Sequence, residues 1–278
     1  MLADLAPIRR EIRSRGGRWY EVRLRPYRTV EDKICTLTLN RPEKRNALNT
    51  AMVETLHATF EWVARRDDVR VVVLQGAGAT FCAGLDLREL AAQREAGRVE
   101  THPLQDALES LERCPHPTIA AVQGDAIAGG CELALHCDLR VASDRAHFAM
   151  PLARIGIAVP VTLTWKLVDT IGAAATKELL FTGEGLGAPE ALALGLVNRV
   201  VPPGSLEAAV GELARQIAHN APLSVRAMKA FVQRLAEERR AYRRDELEAL
   251  FHRVQGSADA REGLAAQRER RSPVFRGE

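Results

Sequence analysis

The feature that most constrains this chain is a short apolar run that leads to a pair of glycines. Residues 118–122 read TIAAV, which predicts a buried strand, although a run of this length does not by itself exclude a helix. Gly129 and Gly130 follow, and a helical pattern begins near Cys131. This order predicts a strand, a tight turn and a helix whose first free N–H groups and positive dipole end face the glycines.

The turn has the composition of a site for a negatively charged oxygen. Gly129 and Gly130 leave no side chain in front of the backbone N–H groups, and Glu132 places a carboxylate in the first helical turn. Backbone donors beside an acid or base are the elements of oxyanion stabilisation. The alternative is a plain strand-to-helix turn, because Glu is common in first turns for dipole reasons. Neither a phosphate loop nor a dinucleotide fingerprint is supported, since the Lys of the first and the glycine spacing of the second are missing here.

Composition indicates a globular protein without an extreme of charge. The chain has 278 residues, of which 46% are hydrophobic and 27% charged, and its net charge is +3. Nothing in this balance requires nucleic acid or a membrane as partner. The five cysteines contain no C-x-x-C pair, which predicts free thiols in a reducing compartment and no metal site. With no apolar stretch of membrane-spanning length and no targeting segment in view, we expect a cytoplasmic protein.

Periodicity predicts an α/β chain up to about residue 200 and helices after it. Residues 1–18 are expected to form a flexible extension, and residues 152–160 an apolar loop. Strands are predicted at 19–24, 34–39, 71–74, 118–122, 138–142, 146–149 and 196–201. Helices are predicted at 50–64, from 86, at 104–113, from 131, and at 162–171, 174–181, 188–193, 205–219, 222–238, 242–255 and 258–269.

Six motifs occur in order along the chain: NRP with KRNAL at 40–48, FCAGLDL at 81–87, AGGCELA at 128–134, LFTG at 180–183, ALALGLV at 191–197, and QRERR before PVF at 267–275. In this order they resemble the crotonase, or enoyl-CoA hydratase/isomerase, superfamily, over about residues 19 to 276. The resemblance implies a crotonase-like spiral of ββα turns over 19–200. It also implies a C-terminal helical trimerisation region over 201–278, assembled as a homotrimer or a dimer of trimers.

The resemblance also implies the substrate and the chemistry. The expected substrate is an acyl-CoA or enoyl-CoA thioester, with no cofactor besides the coenzyme A that it carries. In this family the thioester oxygen lies between two backbone N–H groups, which here match Ala83 and Gly129. Each such donor stabilises the charge that develops on the oxygen by about 3–4 kcal/mol. Glu132 matches the first of the two glutamates that hydratases use.

Other positions of the family pattern match residues that would contact the substrate. They are Lys44, Arg45 and Ala47 at the adenine and phosphate end, and Leu85, Asp86, Leu87, Gly130 and Leu152 around the pantetheine and acyl group. Arg268 and Arg271 are candidates for phosphate contacts, and a role as ordinary surface arginines is the alternative.

The chain departs from the hydratases at the second glutamate. Where hydratases read Pro-Glu, this chain reads Pro151-Leu152, and leucine neither donates nor accepts a proton. Four hypotheses follow from this departure. The first is a hydratase-type lyase that uses Glu132 and holds water in another way, and the second is a single-carboxylate isomerase, decarboxylase or thioester hydrolase. The third is a non-catalytic acyl-CoA-binding paralogue. The fourth is a nucleic-acid-binding protein, which the net charge does not favour.

Three further residues have a chemical and a structural interpretation. His147 and Asp86 are candidates for a second proton-transfer group, against plain structural roles at a strand and a helix start. Cys131 is a candidate nucleophile, against a packed thiol of ordinary pKa.

Overall fold

The computed structural model describes residues 33–95, 104–240 and 244–276, together with the strand backbones at 11–13, 19–21 and 26–29. The strands are β1 Glu11–Arg13, β2 Trp19–Glu21, β3 Pro26–Thr29, β4 Ile34–Leu39, β5 Val71–Gly76, β6 Thr118–Val122, β7 Ala126–Ile127, β8 Leu139–Ser143, β9 His147–Ala149, β10 Leu186–Gly187 and β11 Arg199–Val201. The helices are α1 Thr50–Ala64, α2 Leu87–Glu95, α3 Gln105–Arg113, α4 Gly129–His136, α5 Val161–Thr182, α6 Ala188–Ala193, α7 Leu206–His219, α8 Pro222–Arg240, α9 Arg244–Gln255 and α10 Ala258–Glu269.

A six-stranded sheet in the order β11-β8-β6-β5-β4-β3 forms the main layer. Its strands are parallel except for the antiparallel pair β3 and β4. The apolar run of β5 is explained by cover on both faces. Val72 and Leu74 belong to the larger core that includes α1 and α3, whereas Val71 and Val73 pack with apolar residues of α7.

A second, three-stranded sheet in the order β10-β9-β7 carries the candidate site. β7 and β9 run parallel, with Ala126 opposite Phe148 and Ile127 opposite Ala149. Parallel neighbours end at the same edge of a sheet. The turn after β7 and the turn after β9 therefore face the same space.

The predicted α/β fold is confirmed, and most predicted elements are found within a few residues of their expected bounds. The helices predicted at 162–171 and 174–181 are the two halves of α5, which is broken at Gly172 (φ 77°, ψ 164°). β1, β3, β7 and β10 were not predicted, and β7 and β10 have only two residues each, which is too few for a periodic pattern. The predicted loop at 152–160 begins inside a 3₁₀ turn, Pro151–Ile155. Of the extension predicted at 1–18, only the strand Glu11–Arg13 lies among the described residues.

After β11 the described regular structure is helical. α7 packs on the main sheet through Leu206, Val210 and Leu213. α10 lies on the Pro151–Ile155 turn so closely that a Cβ on Gly263 would collide with the Ile155 backbone. Over the part of the chain that the structure describes, no helix has the length and apolar character to cross a membrane.

Candidate active site

The glycine turn follows a residue with strained backbone angles, which a hydrogen bond to the end of β9 fixes. Ala128 has φ 48° and ψ −117°, a conformation that a residue with a side chain keeps only when its surroundings enforce it. Its N–H donates to the Ala149 carbonyl oxygen at the end of β9 (2.8 Å). α4 begins at the next residue, and a first-turn N–H such as that of Gly129 has no acceptor within the helix. The turn thus presents backbone donors at the shared edge of β7 and β9.

The two glycines have different roles. A Cβ on Gly130 would collide with the Cys82 carbonyl oxygen, so that Gly130 allows the 81–87 loop to pack against α4. A Cβ on Gly129 would make only ordinary contacts, at 3.4 Å to Leu104 and 3.5 Å to Gly84. The structure therefore gives Gly130, which was expected to contact substrate, a packing role.

The Ala83 amide does not fit the predicted role of oxyanion donor. Its N–H donates to the Arg45 carbonyl oxygen at 3.0 Å, which ties the 81–87 loop to the segment before α1. This bond would have to break before the amide could bind a substrate oxygen, and the Arg45 carbonyl oxygen would lose its partner. We therefore correct the prediction at this position.

The Leu85 N–H is the group of the 81–87 loop that is placed to bind a substrate oxygen. The N–H groups on either side of it are engaged, because Gly84 donates to Cys82 Sγ (3.4 Å) and Asp86 donates to the Leu48 carbonyl oxygen (2.8 Å). Among the described residues, the Leu85 N–H donates to no protein acceptor. A Cβ on Gly129 would lie 3.5 Å from the Leu85 nitrogen. The amides of Leu85 and Gly129 are thus neighbours in front of the turn.

Asn46 holds the loop that carries these donors, and sequence reasoning missed it. Its fully buried side chain donates to the carbonyl oxygens of Ala77 (2.8 Å), Thr80 (2.7 Å) and Phe81 (3.2 Å), and accepts from the Arg41 N–H (3.0 Å). Asparagine offers two donors and an acceptor in one short side chain. The asparagine within the KRNAL motif was the available signal, but only the structure reveals its partners.

Glu132 lies inside the protein beside the donors. Its side chain is buried, with 4% of the residue exposed. Burial raises the pKa of Glu132 from 4.5 to about 8, and the positive charge of Lys166 partly opposes this rise. A carboxyl group with such a pKa is protonated at neutral pH, and it can act as a general acid as well as a base.

A partly buried ionic group adjoins Glu132, and no local sequence pattern indicated it. Lys166 of α5 donates to Glu112 of α3, with 2.6 Å between Nζ and Oε1. The second oxygen of Glu112 lies 4.0 Å from Nε2 of His136. The other ring nitrogen of His136 donates to the Glu132 carbonyl oxygen (2.8 Å). Lys166 thus acts on the charge of Glu132, and Glu112 and His136 belong to the same ionic group.

The structural interpretations fit the three further candidates better. Burial raises the pKa of the Cys131 thiol to about 12, which leaves no thiolate for nucleophilic attack. Asp86 is paired with Arg41 at 3.3 Å. The ring of His147 packs so closely on Gly185 that a Cβ there would collide with it.

The residues expected at the coenzyme A end are at the surface near the 81–87 loop. Lys44 and Arg45 are exposed, and the Ala47 carbonyl oxygen accepts from Arg41 at 2.7 Å. Leu87 is the first residue of α2. Arg268 is exposed, and Arg271 is paired with Glu262 (2.5 Å) and Glu269 (2.6 Å). Arg271 would have to exchange these carboxylates for a phosphate.

Leu152, at the position of the second hydratase glutamate, lines an apolar cavity of about 530 Å³. The walls are formed by the turn after β9, by both halves of α5, and by α9. Among the described residues, no group of three or more His, Cys, Asp or Glu side chains is placed to hold a metal ion.

Comparison with known proteins decides the family. The family model described as Enoyl-CoA hydratase/isomerase matches residues 29–278. The chain belongs to the enoyl-CoA hydratase/isomerase family. It is therefore an enzyme of the hydratase type, with the crotonase fold that the six motifs predicted.

Individual relatives differ in what they act on. The chain is 35% identical over 252 residues to a putative enoyl-CoA hydratase/isomerase of Bacillus subtilis (strain 168), covering 90% of this chain and 97% of the relative. It is 34% identical over 250 residues to the 2,3-dehydroadipyl-CoA hydratase of Escherichia coli (strain K12), covering 89% and 96%. A methylmalonyl-CoA decarboxylase in complex with 2-nitronate-propionyl-CoA superimposes with a TM-score of 0.81 at 27% identity, covering 89% and 96%.

Proposed function

We propose that the chain transforms an acyl-CoA or enoyl-CoA thioester by stabilising an enolate. The thioester oxygen would accept from the N–H groups of Leu85 and Gly129, and Glu132 would transfer the proton. The observation that carries this proposal is the pair of adjacent amides that have no acceptor among the described residues, close to a buried carboxyl group. Coenzyme A would enter only as part of the substrate, with Lys44 and Arg45 near its phosphates.

The energetics favour this arrangement. Abstracting a proton beside a thioester, or adding water to its enoyl form, places negative charge on the oxygen. Two preorganised donors in a site with little water would lower the barrier by about 3–4 kcal/mol each, and the first turn of α4 adds its positive dipole end. Glu132 starts protonated at neutral pH, and so it can complete an enolate by protonation without a second carboxylate.

Two reaction types therefore compete within the proposed function. The first is hydration by Glu132 with water held by other groups, which the family relationship supports. The second is a reaction that a single carboxyl group can serve as acid or base, such as isomerisation, decarboxylation or thioester hydrolysis, and Leu152 at the second glutamate position favours it. A non-catalytic acyl-CoA-binding protein would bind the same thioesters without converting them.

The donor pair can be tested by replacing single amides with esters. Leucic acid at position 85, introduced by nonsense suppression, removes the proposed N–H while keeping the side chain. We expect kcat on a responsive thioester to fall by about 100-fold, with a much smaller change in binding. Lactic acid at position 83 is the matched control, which should mainly lower stability because it breaks the bond to Arg45. The opposite pattern would restore Ala83 as the donor and reject Leu85.

The reaction itself is tested with a thioester panel. A hydratase consumes the enoyl absorbance of a 2-enoyl-CoA, a decarboxylase releases CO₂ from an alkylmalonyl-CoA, and a hydrolase releases free thiol. Binding without any of these conversions would support the non-catalytic protein. Failure to bind any acyl-CoA by calorimetry would reject the proposed function.

We also propose self-association as a homotrimer or a dimer of trimers. α8 exposes large apolar side chains, among them Leu223 (79%), Phe231 (65%), Val232 (69%) and Leu235 (64%). An apolar surface of this kind on one helix is typical of an interface. Light scattering after size-exclusion chromatography should give a mass of three or six chains, and Phe231→Glu should reduce it. A monomeric wild-type protein would contradict the proposal.

A further inference from the structure

The lining of the apolar cavity indicates which kind of acyl group would fit the proposed substrate. Sixteen residues line it, and only Thr164 and Trp165 carry a nitrogen or oxygen atom in the side chain. The others are Ala, Val, Leu, Ile, Met and Phe, and no lining residue is charged. Among the described residues, nothing in the wall could therefore neutralise a carboxylate.

The two exceptions do not make the cavity polar. The Thr164 hydroxyl donates to the Pro160 carbonyl oxygen at 3.2 Å. The Trp165 indole nitrogen is shielded from solvent and has no partner among the described residues, so that it faces the surrounding protein rather than the open space. A ligand in the cavity meets hydrocarbon, and an ionised group buried there would lose its hydration without gaining a partner.

The cavity lies next to the proposed thioester site. The hydrogen bond from Ala128 to Ala149 (2.8 Å) joins the two turns. Gly129, the proposed oxyanion donor, directly follows the first of these residues, and Met150, which lines the cavity, directly follows the second. An acyl chain that starts at the thioester carbon thus has the cavity immediately beside it.

The volume sets a size for the chain. A methylene group occupies about as much space as a water molecule in the liquid, roughly 30 Å³. A four-carbon crotonyl group would then leave about three quarters of the 530 Å³ empty. Unfilled apolar space forfeits contacts that a longer chain would make.

We propose that this cavity binds the tail of a medium-chain acyl group, longer than the four carbons of a crotonyl group, without a terminal carboxylate. The inference rests on the proposed function, since it names the substrate class of the same site. It distinguishes this chain from its dehydroadipyl-CoA relative, whose substrate name implies a terminal carboxylate.

Unreactive saturated thioesters test the proposal independently of the reaction. Calorimetry would compare butanoyl-, hexanoyl- and decanoyl-CoA, and adipoyl-CoA, which is hexanoyl-CoA with a terminal carboxylate. Each buried methylene strengthens binding by up to about fourfold. Because the cavity has an open side, we expect decanoyl-CoA to bind about 30-fold or more tightly than butanoyl-CoA, and adipoyl-CoA to bind about tenfold more weakly than hexanoyl-CoA.

Two variants that fill the cavity test whether the chain-length dependence of binding arises there. Ala158→Phe and Val168→Phe place a ring on different walls of the cavity. Each should weaken decanoyl-CoA binding about tenfold and leave butanoyl-CoA binding unchanged. Ala174→Phe, at an exposed position of α5 outside the cavity, is the matched control and should change neither affinity.

The outcomes separate this inference from the proposed function. Equal affinities for butanoyl- and decanoyl-CoA, or adipoyl-CoA binding as tightly as hexanoyl-CoA, would overturn the medium-chain proposal and leave the thioester chemistry intact. Absence of binding by every thioester would overturn both. The chain-length series on the unchanged protein decides between these outcomes even where a filling variant fails to fold.

Discussion

The two turns that end β7 and β9 lie side by side but differ in chemistry. The turn after β7, residues 128–132, contains a strained alanine, two glycines and a buried carboxyl group. The turn after β9, residues 150–160, contains Leu152 and other apolar residues that line the cavity. Under the proposed function, proton transfer would belong to the first turn and recognition of the acyl group to the second. The first role depends on the placement of single polar atoms, whereas the second depends on the volume and apolar character of the cavity.

The largest effect is expected from removing the acid of the first turn. Glu132→Gln keeps the shape of the side chain but cannot transfer a proton, so that kcat should fall by a factor of about 10² to 10⁴. Turnover of the thioester identified by the panel is the measurement. Glu109→Gln, at a half-buried position of α3 where the side chain pairs with Arg113, is the control and should keep full activity. Full activity of Glu132→Gln would move the chemistry away from this turn.

A large effect on stability is expected at Asn46. Asn46→Ala leaves three carbonyl oxygens without the donor that they share, and we expect a loss of about 3 kcal/mol in the free energy of unfolding. Asn49→Ala removes the N-cap of α1 and should cost only about 1 kcal/mol. Urea unfolding of both variants is the measurement. Equal losses would show that Asn46 is no more than a local turn residue.

The buried carboxyl group should also make stability depend on pH. The pKa of Glu132 is about 8 in the folded chain, whereas an unfolded glutamate titrates near its ordinary value of about 4.3. Folding therefore binds a proton between these values, and the free energy of unfolding should decrease by about 2.5 kcal/mol from pH 5 to pH 7.

Urea unfolding of the wild type and of Glu132→Gln at both pH values measures this difference. The variant lacks the ionisable group, and so it should lose the part of the pH dependence that belongs to Glu132. The comparison would fail if both proteins showed the same slope.

The smallest expected effect is a gain of activity at the second turn. Leu152→Glu restores the carboxylate that hydratases have at this position, and hydration of crotonyl-CoA should rise about tenfold above that of the wild type. Leu152→Gln is the matched control, since it adds polarity without a proton-transfer group. A wild type that already hydrates crotonyl-CoA faster than Leu152→Glu would show that the apolar turn does not limit hydration.

The sequence was sufficient to predict those elements that depend on local residue patterns. The apolar run before the glycine pair predicted β6 at its observed bounds, and the glycines and Glu132 predicted the start of α4 to within two residues. The donor at residue 83 was wrong because adjacent amides of one loop differ only in their tertiary partners. The bond from Ala83 to Arg45 spans 38 residues of chain, and no local pattern encodes it.

Lys166 and Glu112 could not be predicted for the same reason. They lie 54 residues apart on different helices, and each looks like an ordinary surface charge in the sequence. Only the packing of α3 and α5 brings them next to α4. The apolar cavity is likewise formed by three separate segments, whose individual hydrophobic residues do not reveal an unfilled space between them.

The break in α5 at Gly172 separates two walls of the cavity. Residues before the break, such as Val168, form one wall of the cavity, and residues after it, such as Phe181, form another. Lys166, which acts on the charge of Glu132, belongs to the first half. A change of the angle between the two halves would therefore move the Phe181 wall without moving Lys166, so that the volume of the cavity could change while the environment of Glu132 stayed the same.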